Sequence, residues 1–189
     1  ENYIEINKIL LENIYNLKNS ENGVIRSNIL GWHSKSDLHI TPPISYLKEF
    51  IYLKNFLNKS ANNIIKEMGY DALLRLSTFW ANINPKYASN QVHDHPHSIL
   101  SGAYYLKIPN PVSNIKFLDT RPVKTFFTTD IIPKEKCITN IYSVNTISVL
   151  PQEGFFIMFP GWLKHSVDTN MSEEERVSMS FNFCFELQN

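Results

Sequence analysis

Arg176-Val177-Ser178-Met179-Ser180-Phe181-Asn182-Phe183-Cys184-Phe185 is the stretch whose reading decides the fold. Met179, Phe181, Phe183 and Phe185 alternate with Ser178, Ser180, Asn182 and Cys184, and Arg176 extends the second set. A period of two is the signature of a β-strand, with one set of side chains on each face. The apolar face suits packing against helices. The other face carries small polar groups rather than the Lys, Glu or Thr of a strand facing water. Such a face fits the lining of a narrow cavity that holds a polar ligand.

Upstream of that strand the same pattern recurs. Leu73 to Ile83, Gln91 to His95, Leu100 to Ile108, Ile138 to Leu150, Phe155 to Phe159 and His165 to Asp168 are rich in β-branched and aromatic residues. Turn formers separate them, among them Asn84-Pro85, Pro109-Asn110-Pro111, Gln152-Glu153-Gly154 and Pro160-Gly161. The first third reads differently. Ile6, Ile9, Leu10, Ile14 and Leu17 recur at helical spacing, ending near Asn19-Ser20. Thr41-Pro42-Pro43 offers a cap and a fixed first turn for a longer helix. Its stripe runs Leu47, Phe50, Ile51, Leu57, Ala61, Ile64, Ile65 and Met68, with Gly69 as the stop. Helices followed by many antiparallel strands predict a mainly β fold, a double-stranded β-helix (jelly roll) buttressed by N-terminal α-helices. The expected organisation is one domain over 1–189, with 1–70 mostly helical support and 71–189 the β core.

Composition narrows the function classes. The chain has 189 residues, 43% hydrophobic, enough for one real core. With 18 basic and 18 acidic side chains, and no basic cluster interleaved with aromatics, it lacks a nucleic-acid footprint. Cys137 and Cys184 form no CxxC and read as reduced residues rather than a disulfide framework. No apolar run approaches the ~20 residues of a membrane span, and Glu1-Asn2-Tyr3 opens no signal pattern. The expectation is a cytoplasmic protein with no membrane partner.

The chemistry concentrates in His93-Asp94-His95-Pro96-His97, answered about seventy residues later by His165. Residues i and i+2 of a strand share a side, so His93 and His95 can face one metal ion while Asp94 points away. His95 with His97 has the same spacing and competes, although Pro96 lies between them and His97 falls in the turn. His165 follows Gly154, an apolar strand and the Pro160-Gly161 turn, the way a double-stranded β-helix delivers a distal ligand. Imidazole suits Fe(II), Zn(II), Cu(II) and Ni(II), so ligand type alone does not choose the metal. Arg176, eleven residues past His165, sits in register with the small polar face. Its planar fork, helped by the Ser178 hydroxyl, is a carboxylate clamp on paper. The competing reading pairs it with Glu173-Glu174-Glu175 at the surface. Tyr105 shares parity with Ser101 and Ala103, so its phenol can reach the same carboxylate while Tyr104 packs outward. Three imidazoles beside an anion clamp read as a non-haem iron oxygenase.

An ordered series of motifs then carries a resemblance. His-x-His-Pro precedes Leu100-Ser101-Gly102-Ala103-Tyr104-Tyr105-Leu106, Phe117-Leu118-Asp119-Thr120-Arg121, Gly154 to Phe159, Trp162-Leu163-Lys164-His165 and Glu175 to Asn182. Together with Leu30-Gly31-Trp32-His33-Ser34, these resemble the iron(II)/2-oxoglutarate-dependent oxygenase family of bacteria and their phages. The resemblance runs from about Gly31 to Asn182. It implies a jelly roll, iron on His93, His95 and His165, and the distal carboxylate of 2-oxoglutarate on Arg176 and Ser178. Two positions depart from it. Most 2-oxoglutarate oxygenases use His-x-Asp/Glu for the first ligand pair, and this chain has no His-x-Asp. Thr120 also stands where proline is expected.

The reading that results is an Fe(II)- and 2-oxoglutarate-dependent dioxygenase, a hydroxylase acting with molecular oxygen on a small-molecule or peptide substrate. Trp80, Asn82, His97 and Trp162 are the candidates for the substrate pocket. The rivals are a three-histidine cupin-type metalloenzyme that does not use 2-oxoglutarate, a zinc hydrolase, and a non-catalytic metal-dependent binding jelly roll.

Overall fold

The structure is a computed structural model and describes residues 3–120 and 146–186. Helix α1 (Tyr3–Ser20) and helix α2 (Lys48–Glu67) come first, with two short strands between them, β1 (Asn28–Ile29) and β2 (Trp32–His33). The β core follows: β3 (Leu74–Asn84), β4 (Ser89–His93), β5 (Leu100–Lys107), β6 (Ile115–Leu118), β7 (Thr146–Val149), β8 (Phe156–Pro160), β9 (His165–Val167) and β10 (Arg176–Phe185). The described strands form two five-stranded sheets, β1-β4-β9-β6-β7 and β2-β3-β10-β5-β8, and every strand pairing within them is antiparallel. This is the jelly roll that the alternation predicts.

Strand β10 lies at the centre of the second sheet, between β3 and β5. Its outer face behaves as its sequence dictates. Val177, Met179, Phe181 and Phe183 are fully buried in one cluster with Leu10 and Ile14 of α1 and with Phe50, Leu53, Leu57, Ala61 and Ile65 of α2. Burying each such side chain stabilises by roughly 1.5–3 kcal/mol before conformational entropy is charged against it. The helices are therefore what covers the sheet. Asn7 fastens α1 from within: its amide donates to the carbonyls of Tyr105 and Leu106, and the Tyr104 hydroxyl donates to its Oδ1 at 2.7 Å. Tyr104 thus packs on the helical side, as parity predicts.

Several expectations need correction. The longer helix does not start at Pro43: a 3-10 turn (Ile44–Tyr46) intervenes, and α2 begins at Lys48 without a side-chain cap. Ile51 and Met68, placed in its apolar stripe, are exposed, and Leu53 takes a buried place instead. The stop at Gly69 does form, with φ +87°; its N–H donates to Lys66 and that of Tyr70 to Ile65, closing the helix end. Strand β4 ends at His93 rather than His95. Cys137, Arg121 and most of the Ile138–Leu150 segment lie outside the described residues. No helix among the described residues is long and apolar enough to cross a membrane.

Candidate active site

Register brings the first two histidines together. His93, the last residue of β4, lies opposite His165, the first residue of β9, and Phe117 of β6 flanks His165 on its other side. The two imidazole centroids are 4.3 Å apart. His95 lies beyond the strand, so alternation does not place it. The Pro160-Gly161 turn does: the His95 N–H donates to the Gly161 carbonyl at 2.8 Å, and the Gly161 N–H donates to Ile99 at 3.1 Å. A Cβ at Gly161 would sit 2.3 Å from the Ser98 carbonyl oxygen, so only glycine permits this approach. His95 ends 5.1 Å from His93 and 5.0 Å from His165, centroid to centroid. One ring nitrogen from each of the three lies within 4.8 Å of the others.

The rings are prepared as ligands. Nδ1 of His93 donates to the Gln91 carbonyl at 2.7 Å, and Nδ1 of His165 donates to the Leu163 carbonyl at 2.9 Å. Each bond fixes the tautomer that leaves Nε2 free for a metal. Burial, and then the neighbouring imidazoles, lower His95 to about 3 and His165 to about 4; burial lowers His93 as well. All three are neutral near pH 7, the form that binds metal. His97 is not part of this cluster. It lies exposed in the turn, with a positive φ of 67°.

Arg176 projects from β10 opposite Asn84 of β3 and is only 3% exposed. The three acids before it do not neutralise it. Glu173 pairs with Lys86, Glu174 with Lys107 and Glu175 with Lys18. Its guanidinium carbon lies 5.5 Å from the centre of the Tyr105 ring, and its Nε and the Tyr105 hydroxyl are both buried without a hydrogen-bond partner. Burial lowers the Arg176 pKa from its ordinary value, while Tyr105 opposes that shift. Ser178 stands two residues on, buried, opposite both Asn82 and Tyr105. A buried cation with unsatisfied donors is costly unless an anion completes it.

One cavity of about 370 Å³ joins the two groups, lined by the three histidines, Arg176, Ser178, Trp80 and Asn82. His97 and Trp162, the latter 63% exposed, are not among its lining residues. Asp94 also lines this cavity; β4 ends at His93, so alternation no longer sets the side that Asp94 takes. Two further lining residues carried no strand or ligand-spacing signal. His33 stacks on Trp80 at 5.5 Å, and Arg26 lies at the rim. His33 belongs to the Gly-Trp-His-Ser element, which was the available cue.

Two facing antiparallel sheets, a cluster of three neutral histidines and a buried arginine in one cavity define a jelly-roll protein equipped for a metal and an anion. The family model described as "Putative 2OG-Fe(II) oxygenase" matches residues 78–182, more than half of the chain. The chain belongs to this 2OG-Fe(II) oxygenase family. No curated protein matches it in sequence. Among solved structures it is similar to a prolyl-4-hydroxylase from Pseudomonas putida, with 12% identity, 96% of this chain and 86% of that one covered, and a TM-score of 0.62. It is also similar to HygX from Streptomyces hygroscopicus with nickel and 2-oxoglutarate bound, at 10% identity, 95% and 78% coverage and a TM-score of 0.60. A third is an oxidoreductase of the 2OG-Fe(II) oxygenase family from Burkholderia pseudomallei, at 14% identity, 82% and 68% coverage and a TM-score of 0.53. At these identities the likeness concerns the fold.

Proposed function

We propose that this chain is an Fe(II)- and 2-oxoglutarate-dependent dioxygenase that hydroxylates a small-molecule or peptide substrate. The observation that carries the reading is Arg176: a buried cation with no acidic partner among the described residues, lining the same cavity as three neutral imidazoles. His93, His95 and His165 would hold the iron. Arg176, Ser178 and the Tyr105 hydroxyl would hold the distal carboxylate of 2-oxoglutarate, whose oxygens supply the acceptors that Arg176 Nε and Tyr105 lack. Iron in such a site supplies oxygen activation coupled to oxidative decarboxylation of the co-substrate.

The chain's own contribution is positioning. Anchoring the distal carboxylate on β10 would leave the keto-acid end of the co-substrate to the histidines, which line the same cavity. The backbone bonds to His93 and His165 keep their rings oriented. Ile115, Phe159 and Val167 give the cavity apolar wall, which excludes bulk water from the reacting groups. Trp80 and Asn82 face the remaining space and are offered to the substrate.

A donor set of three histidines without a carboxylate also suits a cupin-type metalloenzyme that ignores 2-oxoglutarate, or a metal-dependent binding protein. Anaerobic titration separates these. Fe(II) followed by 2-oxoglutarate should produce a weak visible charge-transfer band, and admission of air should release succinate. Iron binding with no response to 2-oxoglutarate would assign the site to the rivals.

A further inference from the structure

Resting on the reading above, the metal and the co-substrate engage the three histidines and Arg176. Two other charged side chains line the cavity, Asp94 and Arg26, and they have opposite signs. Neither joins an ion pair among the described residues. Both flank the same end of the site. Asp94 directly follows His93. Arg26 directly precedes Ser27, whose carbonyl accepts the Gln91 N–H at 2.8 Å and whose hydroxyl lies 3.5 Å from His93 Nε2.

The rest of the wall tells against a sugar or a nucleobase. Those ligands are read by free hydroxyls and amides. Here most amides and hydroxyls between β3, β5 and β10 engage one another: Asn182 donates to Thr78 at 2.9 Å, Ser101 donates to Asn182 at 2.8 Å, and Asn82 donates to Ser180 at 3.1 Å, which leaves the Asn82 Oδ1 as a buried acceptor without a partner. The cavity, about 370 Å³ before the co-substrate takes its share, sits at the small end of ligand pockets, which run from about 300 to 1,000 Å³. A second acid is disfavoured beside the Asp94 carboxylate. What fits is compact and carries both charges.

We propose that the primary substrate is a free α-amino acid, its ammonium taken by Asp94 and its carboxylate by Arg26. The stacked pair His33 and Trp80 forms the flat wall beside it.

The test uses the whole chain loaded with Ni(II), which avoids turnover, and then saturated with 2-oxoglutarate. The proteinogenic L-amino acids are titrated by calorimetry, each alongside its N-acetyl and its carboxamide derivative. At least one amino acid should bind, and capping either end should weaken it, about tenfold at the ammonium and about threefold at the carboxylate, since Arg26 is exposed and solvent-screened. Asp94→Asn should erase the discrimination against the N-acetyl form, and Arg26→Ala that against the carboxamide. The proposal is overturned if no amino acid binds, if capped forms bind equally well, or if both variants keep full discrimination. It is overturned equally if Asp94→Asn lowers Ni(II) affinity while leaving ammonium discrimination intact, because Asp94 would then serve the metal. Nickel and 2-oxoglutarate binding are read in the same samples before the amino acid is added. Failure at that stage overturns the dioxygenase reading and this one together, and failure at the amino-acid stage overturns this one alone.

Discussion

Arg176 shows how a single residue acquires its role from its neighbours' preferences. Three lysines draw Glu173, Glu174 and Glu175 outward, so the guanidinium stays inside with donors to spare. Its fork can grip a carboxylate bidentately, which the point charge of lysine cannot. Arg176→Lys should therefore weaken 2-oxoglutarate by about 1.5–3 kcal/mol, the usual worth of a charged hydrogen bond, with iron binding largely kept. Anaerobic calorimetry on the metallated protein measures it; unchanged affinity would remove the arginine from the site. The proposed metal ligands separate in a similar way. His165→Ala should abolish stoichiometric iron binding because two protein ligands remain, whereas His97→Ala, altering an exposed turn residue, should retain most of the metal. Iron lost in His97→Ala and kept in His93→Ala would transfer the ligand pair to His95 and His97. The histidines and the arginine were legible in the sequence as spaced residue types. Asp94 was not, since strand parity holds only while the strand lasts, and β4 stops one residue earlier.

At the scale of elements, legibility followed periodicity. Strand β10 was plain because ten residues alternate with large side chains on one face, and α1 because its apolar residues recur without a breaker. Strands β1 and β2 span two residues each, and β6 spans four with Lys116 among them, so pattern had nothing to act on; pairing to the longer β4 and β3 makes strands of β1 and β2, and pairing on both edges, to β7 and β9, makes one of β6. The start of α2 misled because Pro43 suits a 3-10 turn as well as a first α-helical turn. The Pro160-Gly161 turn was read as a chain reversal, and the structure gives it a second task in holding the loop of His95. Gly161→Ala should push that loop off the Ser98 carbonyl. The expected outcome is a metal affinity at least tenfold weaker, with the β-sheet circular dichroism retained. Wild-type affinity would mean that His95 does not depend on this turn.

Across the whole molecule, the helices and the cavity lie on opposite faces of one sheet, and this division sets what the protein tolerates. The helical side holds most of the apolar core, so Phe181→Ala, which empties a fully buried site between Phe79 and Phe183, should cost about 3–5 kcal/mol in denaturant unfolding and leave the three clustered histidines untouched. The cavity side instead stores buried histidines, and these make stability depend on pH. In the unfolded chain each histidine titrates near 6.5, whereas in the folded protein His95 is lowered to about 3 and His165 to about 4. Above pH 6.5 both states hold them neutral and they contribute nothing to the pH dependence. As pH falls below 6.5 the unfolded chain takes up protons that the folded protein refuses, so stability is lost progressively from about 6.5 down toward those folded values. At pH 5 the loss should be on the order of 1–2 kcal/mol per histidine. Thermal melts of metal-free protein at pH 7 and pH 5 read it as a lower midpoint in acid. A double variant, His95→Gln with His165→Asn, should show a shallower pH dependence, because neither replacement titrates. An equally steep decline in that variant would place the acid sensitivity in other groups and show that these two imidazoles are not held neutral by the fold.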